Sequence, residues 1–227
     1  MKKLLILLLS LLISINSYGE TETDYYENGQ IKIEANYKDG NKDGKTTKWY
    51  ENGQKQSEKN YKDGKQDSTT KWYKNGQLST QGNFIDGKKV GKWTSWYENG
   101  QLYAVGNFID GKQDGKSTYW YDNGPKKSEK NFKDNNLLSQ TDYYENGPKK
   151  SDKNFKDNNL ISQTDYYENG QIMTEENYKD GNLDGIYNLW YENGQKKIEA
   201  YFKDGKHTKW TEWNKNGKKK WNCWGLC

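Results

Sequence analysis

The side chains that most often perform catalysis are scarce in this chain of 227 residues. His207 is its one histidine, which excludes a histidine-based catalytic triad and a metal site with several histidines. The chain has 32 Asp and Glu residues, but they recur at equivalent points of a repeated pattern, which is typical of turns rather than of a paired acid and base. We therefore expect a protein without enzymatic activity, catalytic residues or a cofactor, and we interpret His207 as a solvent-facing turn residue.

Two segments match the first half of a calcium-binding loop of the form D-x-N-x-D-G, in which carboxylate and amide oxygens coordinate the ion. The candidate ligands are Asp39, Asn41 and Asp43 in the first segment and Asp180, Asn182 and Asp184 in the second. The twelfth position of such a loop is normally a bidentate Glu, but here it is Tyr50 or Tyr191. We therefore predict hairpin turns and no metal site, with calcium as the less favoured alternative.

The two cysteines, Cys223 and Cys227, lie in the terminal sequence WNCWGLC. If Gly225 allows a turn, this spacing brings their Cα atoms within the roughly 4.4–6.8 Å that a disulfide requires. We predict a small cap over residues 221–227 that is closed by a disulfide, with free thiols or an intermolecular bridge as the alternatives.

One repeated unit positions nearly all the other residues. The dipeptide Asn-Gly recurs at intervals of 23 or 24 residues, and we call its Asn the anchor and number the unit from it. The nine anchors are Asn28, Asn52, Asn75, Asn99, Asn123, Asn146, Asn169, Asn193 and Asn216. Position +11 is Asp after each of the first eight anchors, followed by Gly in six copies and Asn in two.

Aromatic rings occupy positions −3, −2 and +9 of this unit. We predict partner contacts for the tryptophans at −3, and we predict that the rings at −2 and +9 form a structural ladder. The tryptophans are Trp49, Trp72, Trp96, Trp120, Trp190 and Trp213. The ladder comprises Tyr50, Tyr73, Tyr97, Tyr121, Tyr144, Tyr167 and Tyr191 at −2, and Tyr61, Phe84, Phe108, Phe132, Phe155, Tyr178 and Phe202 at +9.

The turn residues of the unit predict two hairpins per repeat. Asn-Gly is the strongest signal for a two-residue type I′ turn, and Asp-Gly or Asp-Asn would form the second turn in the same way. The aromatic and Thr-rich segments between them predict strands, so the fold class is all-β. We expect an elongated antiparallel single-layer sheet of stacked β-hairpins, a repeat solenoid of about nine units of 23–24 residues over residues 20–220. In such hairpins the rings at −2 and +9 share one face, and the rings at −3 point to the other.

The composition agrees with a fold that lacks a large aliphatic core. From Glu20 onward the chain has 33 aromatic residues but only 21 Ala, Val, Ile and Leu residues. Its Lys, Asp and Glu residues are interspersed and it has no Arg, so we expect no nucleic-acid partner.

Residues 1–19 have the three parts of a secretory signal peptide. Two lysines precede an apolar run from Leu4 to Ile15 that is too short to cross a bilayer, and Ser17 and Gly19 supply small residues for cleavage before Glu20. Cleavage leaves 34 Lys against 32 acidic residues, a net charge of +2. We predict a secreted, periplasmic or cell-surface protein.

The unit, which runs Trp-Tyr-x-Asn-Gly-Gln and then Tyr/Phe-Lys-Asp-Gly-Lys, resembles the MORN-repeat variant family over residues 24–217. The best matches are residues 47–65 and 189–206. The resemblance implies an elongated sheet of stacked hairpins that acts in protein or lipid contacts. Bacterial members of the family include antitoxin-like proteins and secreted proteins that are linked to host or cell-surface interaction.

These features favour a secreted or surface-exposed, non-enzymatic scaffold for protein–protein interaction, with a host or cell-surface partner. The main alternative is a carbohydrate or cell-wall binding module, because exposed Trp and Tyr can stack on sugar rings or hold a quaternary ammonium. Antitoxin-like and membrane-lipid binding are weaker alternatives, since a signal peptide argues against a cytoplasmic antitoxin and a charge of +2 gives little attraction to lipid.

Overall fold

The structure is a computed structural model that describes residues 19–220. The signal peptide predicted at residues 1–19 lies outside the described residues, apart from Gly19. The cap predicted at residues 221–227 also lies outside them, and with it the disulfide predicted between Cys223 and Cys227.

The described residues form one open antiparallel sheet of 19 strands, in which strands adjacent in the sequence are adjacent in space. The strands are β1 (Glu20–Tyr25), β2 (Ile31–Lys38), β3 (Asn41–Trp49), β4 (Lys55–Lys62), β5 (Lys65–Trp72), β6 (Leu78–Ile85), β7 (Lys88–Trp96), β8 (Leu102–Ile109), β9 (Lys112–Gln113), β10 (Gly115–Trp120), β11 (Lys126–Lys133), β12 (Asn136–Tyr143), β13 (Lys149–Lys156), β14 (Asn159–Tyr166), β15 (Ile172–Lys179), β16 (Asn182–Leu183), β17 (Gly185–Trp190), β18 (Lys196–Lys203) and β19 (Lys206–Glu212). The short strands β9 and β16 pair with β8 and β15, as β10 and β17 do, so each is the start of one interrupted strand. The predicted fold class is therefore confirmed, and in the described range no helix capable of spanning a membrane is found.

The turns at the +11 Asp have the predicted type I′ geometry. In all eight copies the Asp and the residue after it both have positive φ, for example 49° at Asp63 and 78° at Gly64. The flanking residues Lys62 and Lys65 are directly paired, so the loop has two residues. Asp and Asn tolerate this left-handed backbone better than most side chains, which explains their use here.

The turns at the anchors differ from the prediction. Gly53 has φ of 82°, whereas Asn52 is not among the residues with positive φ. The Gly53 N–H donates to the Tyr50 carbonyl at 2.9 Å, and the Tyr50 N–H donates to the Gln54 carbonyl at 2.8 Å. This pattern is a three-residue loop, a type I turn followed by a glycine bulge, and the type I′ prediction is wrong here. The reason is that the Asn52 side chain accepts a hydrogen bond from the Gln54 N–H at 3.1 Å, which holds Asn52 in a turn without positive φ.

The side chains of the unit still divide between two faces as predicted. Lys48 pairs with Ser57, so the next residue, Trp49, points to the opposite face. Tyr50 lies beside Lys48, Ser57 and Lys59 in a shallow surface groove. We call the face of positions −6, −4, −2, +5, +7 and +9 the tyrosine face, and the face of positions −5, −3, +6 and +8 the tryptophan face.

Burial in this single layer is confined mostly to small side chains. The buried residues are Ala35, Trp93, Ala200, Thr46, Thr47, Ser57, Thr69, Ser117, Ser128, Ser151 and Thr174. All except Thr47 lie on the tyrosine face. Trp93 is the exception in size, and it fits because Gly82 lacks a Cβ, which would lie 2.2 Å from the Trp93 ring.

Tyrosine hydroxyls join each repeat to the next. The hydroxyl at position −2 donates to the backbone carbonyl at position −3 of the following repeat, at 2.7–3.1 Å in eight successive pairs. The pairs are Tyr26–Trp49, Tyr50–Trp72, Tyr73–Trp96, Tyr97–Trp120, Tyr121–Tyr143, Tyr144–Tyr166, Tyr167–Trp190 and Tyr191–Trp213. The repeats are thus linked through phenol groups as well as through the strand ladder.

Candidate interaction surfaces

The tryptophan face carries nearly the same residues in every repeat. Position −5 is Thr in eight of nine copies. Position +6 lies opposite it on the neighbouring strand, as Glu58 lies opposite Thr47, and is acidic in six of the eight copies before the last. A lysine at +3 forms an ion pair with this acid in four repeats: Lys55–Glu58, Lys126–Glu129, Lys149–Asp152 and Lys196–Glu199. This face therefore has a satisfied and repetitive surface.

Glu129 shows how completely these acids are satisfied. Its burial raises the pKa of the carboxyl, but hydrogen bonds from Lys116, Lys126 and Tyr143 outweigh that effect and lower the pKa to about 2. In the next repeat, Tyr166 donates to Asp152 at 2.9 Å, and burial together with this carboxylate raises the pKa of Tyr166 to about 12.

The six tryptophans predicted to bind a partner all lie in one row on this face, and all are half-buried. Lysines cover part of the row: the Lys55 ammonium lies 5.6 Å from the Trp72 ring centre, and Lys196 lies 5.6 Å from that of Trp190. These contacts stabilise the sheet whether or not a partner is present. The binding role of the tryptophans stays a prediction.

The rings of the predicted ladder lie on the tyrosine face and are half-buried. Among the described residues, ring-to-ring contacts of these rows occur in two regions. One region joins Phe84 to Trp93, Trp93 to Phe108, Tyr97 to Tyr103 and Tyr103 to Tyr119; the other joins Tyr187 to Phe202 and Phe202 to His207. Elsewhere lysines lie over the rings, as Lys42 does over Tyr61 at 5.3 Å.

The remaining positions of the tyrosine face change from repeat to repeat. Position −4 reads Asp24, Lys48, Lys71, Ser95, Tyr119, Asp142, Asp165, Leu189 and Glu212 along the sheet. Position −6 varies as widely, from Thr46 and Thr69 through Trp93 to Gln140, Gln163 and Tyr187. The two turns and the pairing of strands recur in every repeat while these side chains change, so the repeat architecture alone does not dictate them.

A cluster of lysines occupies the tyrosine face across β3, β4 and β5. Ser57 is paired with Lys48 on one side and Lys71 on the other, and Lys59 lies two residues further along β4. None of these three lysines forms an ion pair with a described residue. Burial lowers the pKa of Lys59, and the charges of Lys71, Lys48 and Lys42 lower it further. We call Lys48, Lys59 and Lys71 the lysine patch.

The duplicated units at residues 126–148 and 149–171, which match at 20 of 23 positions, contain the opposite arrangement. Lys153 occupies the position equivalent to Lys59, and its ammonium lies 3.2 Å from Asp142, which replaces the lysine at −4. Asp142 also accepts hydrogen bonds from Ser151 and Gln140. A lysine at position +7 can therefore be paired with an acid at position −4, and Lys59 in the lysine patch is not.

An apolar groove lies on the tyrosine face near the end of the described sheet. It encloses about 590 Å³. Its lining residues are Glu176, Leu183, Tyr187, Ile198, Ala200, Phe202, His207 and Trp210. Five other repeats carry Ser or Thr at the +5 position of Ile198, and five carry Thr, Ser or Gln at the −6 position of Tyr187 and Trp210, so these side chains make the last repeats more apolar than most. His207, predicted to be a solvent-facing turn residue, is exposed at the rim, but it lies in strand β19 and not in a turn.

Among the residues of the weaker calcium alternative, Asp39 and Asp180 lie in hairpin turns as predicted. Asn41 and Asp43 lie in β3, Asn182 lies in β16, and Asp184 lies between β16 and β17. The Asp43 carboxylate accepts a hydrogen bond from the Asp63 N–H, and Asp184 accepts one from the Asp204 N–H and forms an ion pair with Lys203 at 2.9 Å. Within residues 19–220 no group of three or more His, Cys, Asp and Glu side chains could hold a metal ion. Calorimetry in millimolar calcium remains the test of this alternative.

Sequence reasoning did not single out the lysine patch or the groove. Both follow from comparing equivalent positions between repeats: the −4 and −6 residues differ while their neighbours at −5 and −3 do not. Small hydroxyl residues recur at positions +5 and −6, where most buried residues lie, and this recurrence was a further signal of which face is packed.

The chain matches a known repeat family and aligns with solved structures. The family model described as MORN repeat variant matches residues 21–39, 42–63, 89–110, 113–134, 162–180 and 183–204, more than half of the chain. No curated protein matches the chain. Among solved structures, "Crystal Structure of TcdB2-TccC3" and "Crystal Structure of TcdB2-TccC3-Cdc42" match at 12% and 10% identity, with TM-scores of 0.25 and 0.24. Each alignment covers 85% of this chain, which spans only 13% of the length of the solved chain.

Proposed function

The chain belongs to the MORN repeat variant family, and on this premise we propose that it is a secreted or surface-exposed, non-enzymatic scaffold that binds a protein partner through its tyrosine face. Family membership and the stacked hairpins make it a repeat scaffold. The leader-like residues 1–19 are the basis for proposing secretion.

The observation that carries this proposal is the contrast between the two faces. The tryptophan face repeats nearly one set of residues, and four of its six acids at +6 are paired with lysines. The tyrosine face changes its chemistry along the sheet, from the lysine patch to the apolar groove. The surface of a protein partner is chemically varied over tens of ångströms, so a face that varies along its length can complement it. The groove adds exposed apolar area that such a partner would cover.

Carbohydrate binding is the second candidate function, and a specific observation favours it. The half-exposed tryptophans form a row with one ring per repeat, about 10 Å apart if strands are about 4.8 Å apart. A polymer with a regular repeat would suit such a row. Against it, lysines already lie over Trp72 and Trp190.

Antitoxin-like and membrane-lipid binding remain weaker proposals. The secretory leader predicted at residues 1–19 argues against the first. For the second, the basic residues are interspersed with acids, and within residues 19–220 the lysine patch at β3–β5 is a small part of the tyrosine face.

Presenting the mature chain, residues 20–227, to a peptide display library and to a glycan array decides between the two classes. We expect selection of peptides that bind saturably and can be competed by unlabelled protein, and we expect no saturable glycan signal. Saturable glycan binding that is lost in the Trp96→Ala, Trp120→Ala variant, with no peptide selected, would overturn the protein-binding proposal.

A further inference from the structure

The lysine patch is the region of the tyrosine face where charge is left unbalanced. Lys48 and Lys71 are exposed, and Lys59 is half-buried between Thr46 and Thr69, with which it is paired. Both threonines are at least 96% buried, and their Oγ1 atoms have no hydrogen-bond partner among the described residues. Three like charges in one place favour a bound anion over an empty surface.

The fold does not require this arrangement, because the same positions are neutralised in a later repeat. Lys153 has Gln140 and Gln163 in place of the threonines, and Asp142 in place of a lysine. The ion pair between Lys153 and Asp142 shows that an acid fits at position −4. The three lysines therefore have another role than holding the sheet together.

The spacing of the patch indicates what kind of anion it fits. Lys48 and Lys71 are separated by two strand spacings, about 10 Å, and Lys59 is offset by two residues along β4, about 7 Å. These are spacings between backbone positions, so a single phosphate would be reached by all three lysines only if their side chains bent toward one point. Carboxylates on alternate residues of an extended chain are also about 7 Å apart, which matches the offset. The absence of Arg also argues against a site built for phosphate, which Arg binds in a bidentate manner.

We propose that the lysine patch binds a carboxylate-rich, extended segment of the protein partner. This inference rests on the proposed function and adds the chemistry of the partner: acidic side chains at β3–β5. The apolar groove begins at β15, about nine strand positions beyond β5, so the acidic segment and the groove would engage different parts of the partner.

The test uses a fluorescent hexaglutamate peptide, titrated with the mature chain at low ionic strength and followed by anisotropy. The test variant is Lys48→Asp, Lys71→Asp, which installs the residue that Asp142 and Asp165 supply at the same position. We expect binding to weaken about tenfold or more, because two attractive charges become repulsive. We also expect the melting temperature to be kept or raised, because Lys59 gains the partner that Lys153 has.

The matched control is Lys38→Asp, Lys62→Asp, which changes the net charge equally at exposed residues next to the +11 turns. We expect this variant to bind nearly as well as the wild type. Equal weakening in both variants would show nonspecific attraction and overturn the proposal, as would an absence of binding by the wild type. Binding of a heparin fragment or of anionic vesicles, without binding of hexaglutamate, would assign the patch to another ligand and also overturn it.

Failure of this inference would be distinguishable from failure of the proposed function. If display-selected peptides still bind the tyrosine face while hexaglutamate does not, the scaffold proposal stands and the acidic segment is wrong.

Discussion

At the scale of the residue, the side chain of the anchor asparagine forms two hydrogen bonds with different roles. In a typical copy, the Asn75 carboxamide oxygen accepts from the Gln77 N–H at 3.0 Å, and its Nδ2 donates to the Glu98 carbonyl of the next repeat at 2.7 Å. The first bond shapes the turn and the second joins neighbouring turns. An Asp could make the first bond but could not donate the second, which explains why Asn occupies the anchor.

The tyrosine at −2 is the second residue that joins repeats, and Tyr97→Phe tests it. The change removes the 2.8 Å hydrogen bond that the Tyr97 hydroxyl donates to the Trp120 carbonyl. We expect a loss of about 1 kcal/mol in the free energy of unfolding. Denaturant titration measures it.

Tyr103→Phe is the matched control, since Tyr103 is 43% exposed and lies in the same repeat. We expect it to change stability by less than about 0.5 kcal/mol. An equal loss in the two variants would mean that the hydroxyl-to-carbonyl bonds do not link the repeats.

At the scale of the element, the two turns of a repeat differ, and one pair of substitutions separates them. Asp63 has φ of 49°, and Asp63→Ala removes the short polar side chain that helps Asp tolerate the left-handed region, so we expect a cost of about 1 kcal/mol. Glu51 is the first loop residue of the other turn and has no positive φ, so Glu51→Ala is expected to cost less than about 0.5 kcal/mol.

Thermal unfolding of both variants checks this expectation. Asp63→Gly serves as the control and should restore most of the stability that Asp63→Ala loses, because Gly adopts positive φ without strain. Equal destabilisation by Asp63→Ala and Glu51→Ala would contradict the assignment of two different turns.

Much of the element structure could be predicted from the sequence because turn residues and ring spacing repeat in register. The turn at Asp63 followed from residues that tolerate positive φ. The turn at Asn52 did not, because the choice between two loops depends on a side-chain hydrogen bond to Gln54 and not on the dipeptide alone. Trp93 lies outside the three ring positions, and its burial depends on the missing Cβ of Gly82, a contact between strands that periodicity cannot show.

The candidate site was harder to predict for the same reason. The tryptophans at −3 stood out by type, but their surroundings, with lysine and acid pairs over the rings, became evident only from the register. Lys48, Lys59 and Lys71 are ordinary in a sequence with 36 Lys residues. They form a patch because β3, β4 and β5 bring them together on one face.

At the scale of the whole molecule, each repeat contacts its neighbours, so a complete unit can be removed. Deleting residues 149–171 joins Pro148 to Ile172 in register and places the Tyr144 hydroxyl opposite the Trp190 carbonyl. We expect a cooperative fold with unchanged strand content per residue and a sheet shorter by about 10 Å, the width of two strands. Circular dichroism and small-angle scattering measure these properties.

The control deletion, residues 149–158, removes one strand and its turn and so reverses the direction of every later strand. We expect this protein to lose its cooperative transition. If the full-unit deletion behaves as badly, stability does not arise from contacts between neighbouring repeats.

The location of binding on the tyrosine face is the central claim about the whole molecule. The most direct test is the affinity of display-selected peptides for two variants. The first uses residues that other repeats carry at the same positions, and the second leaves the turn residues unchanged. Tyr187→Gln, Ile198→Ser alters the groove, and Trp96→Ala, Trp120→Ala alters the tryptophan face, with folding of each verified by circular dichroism. We predict binding that is about tenfold or more weaker in the groove variant and nearly unchanged in the tryptophan variant; unchanged binding in the first and loss in the second would contradict the claim.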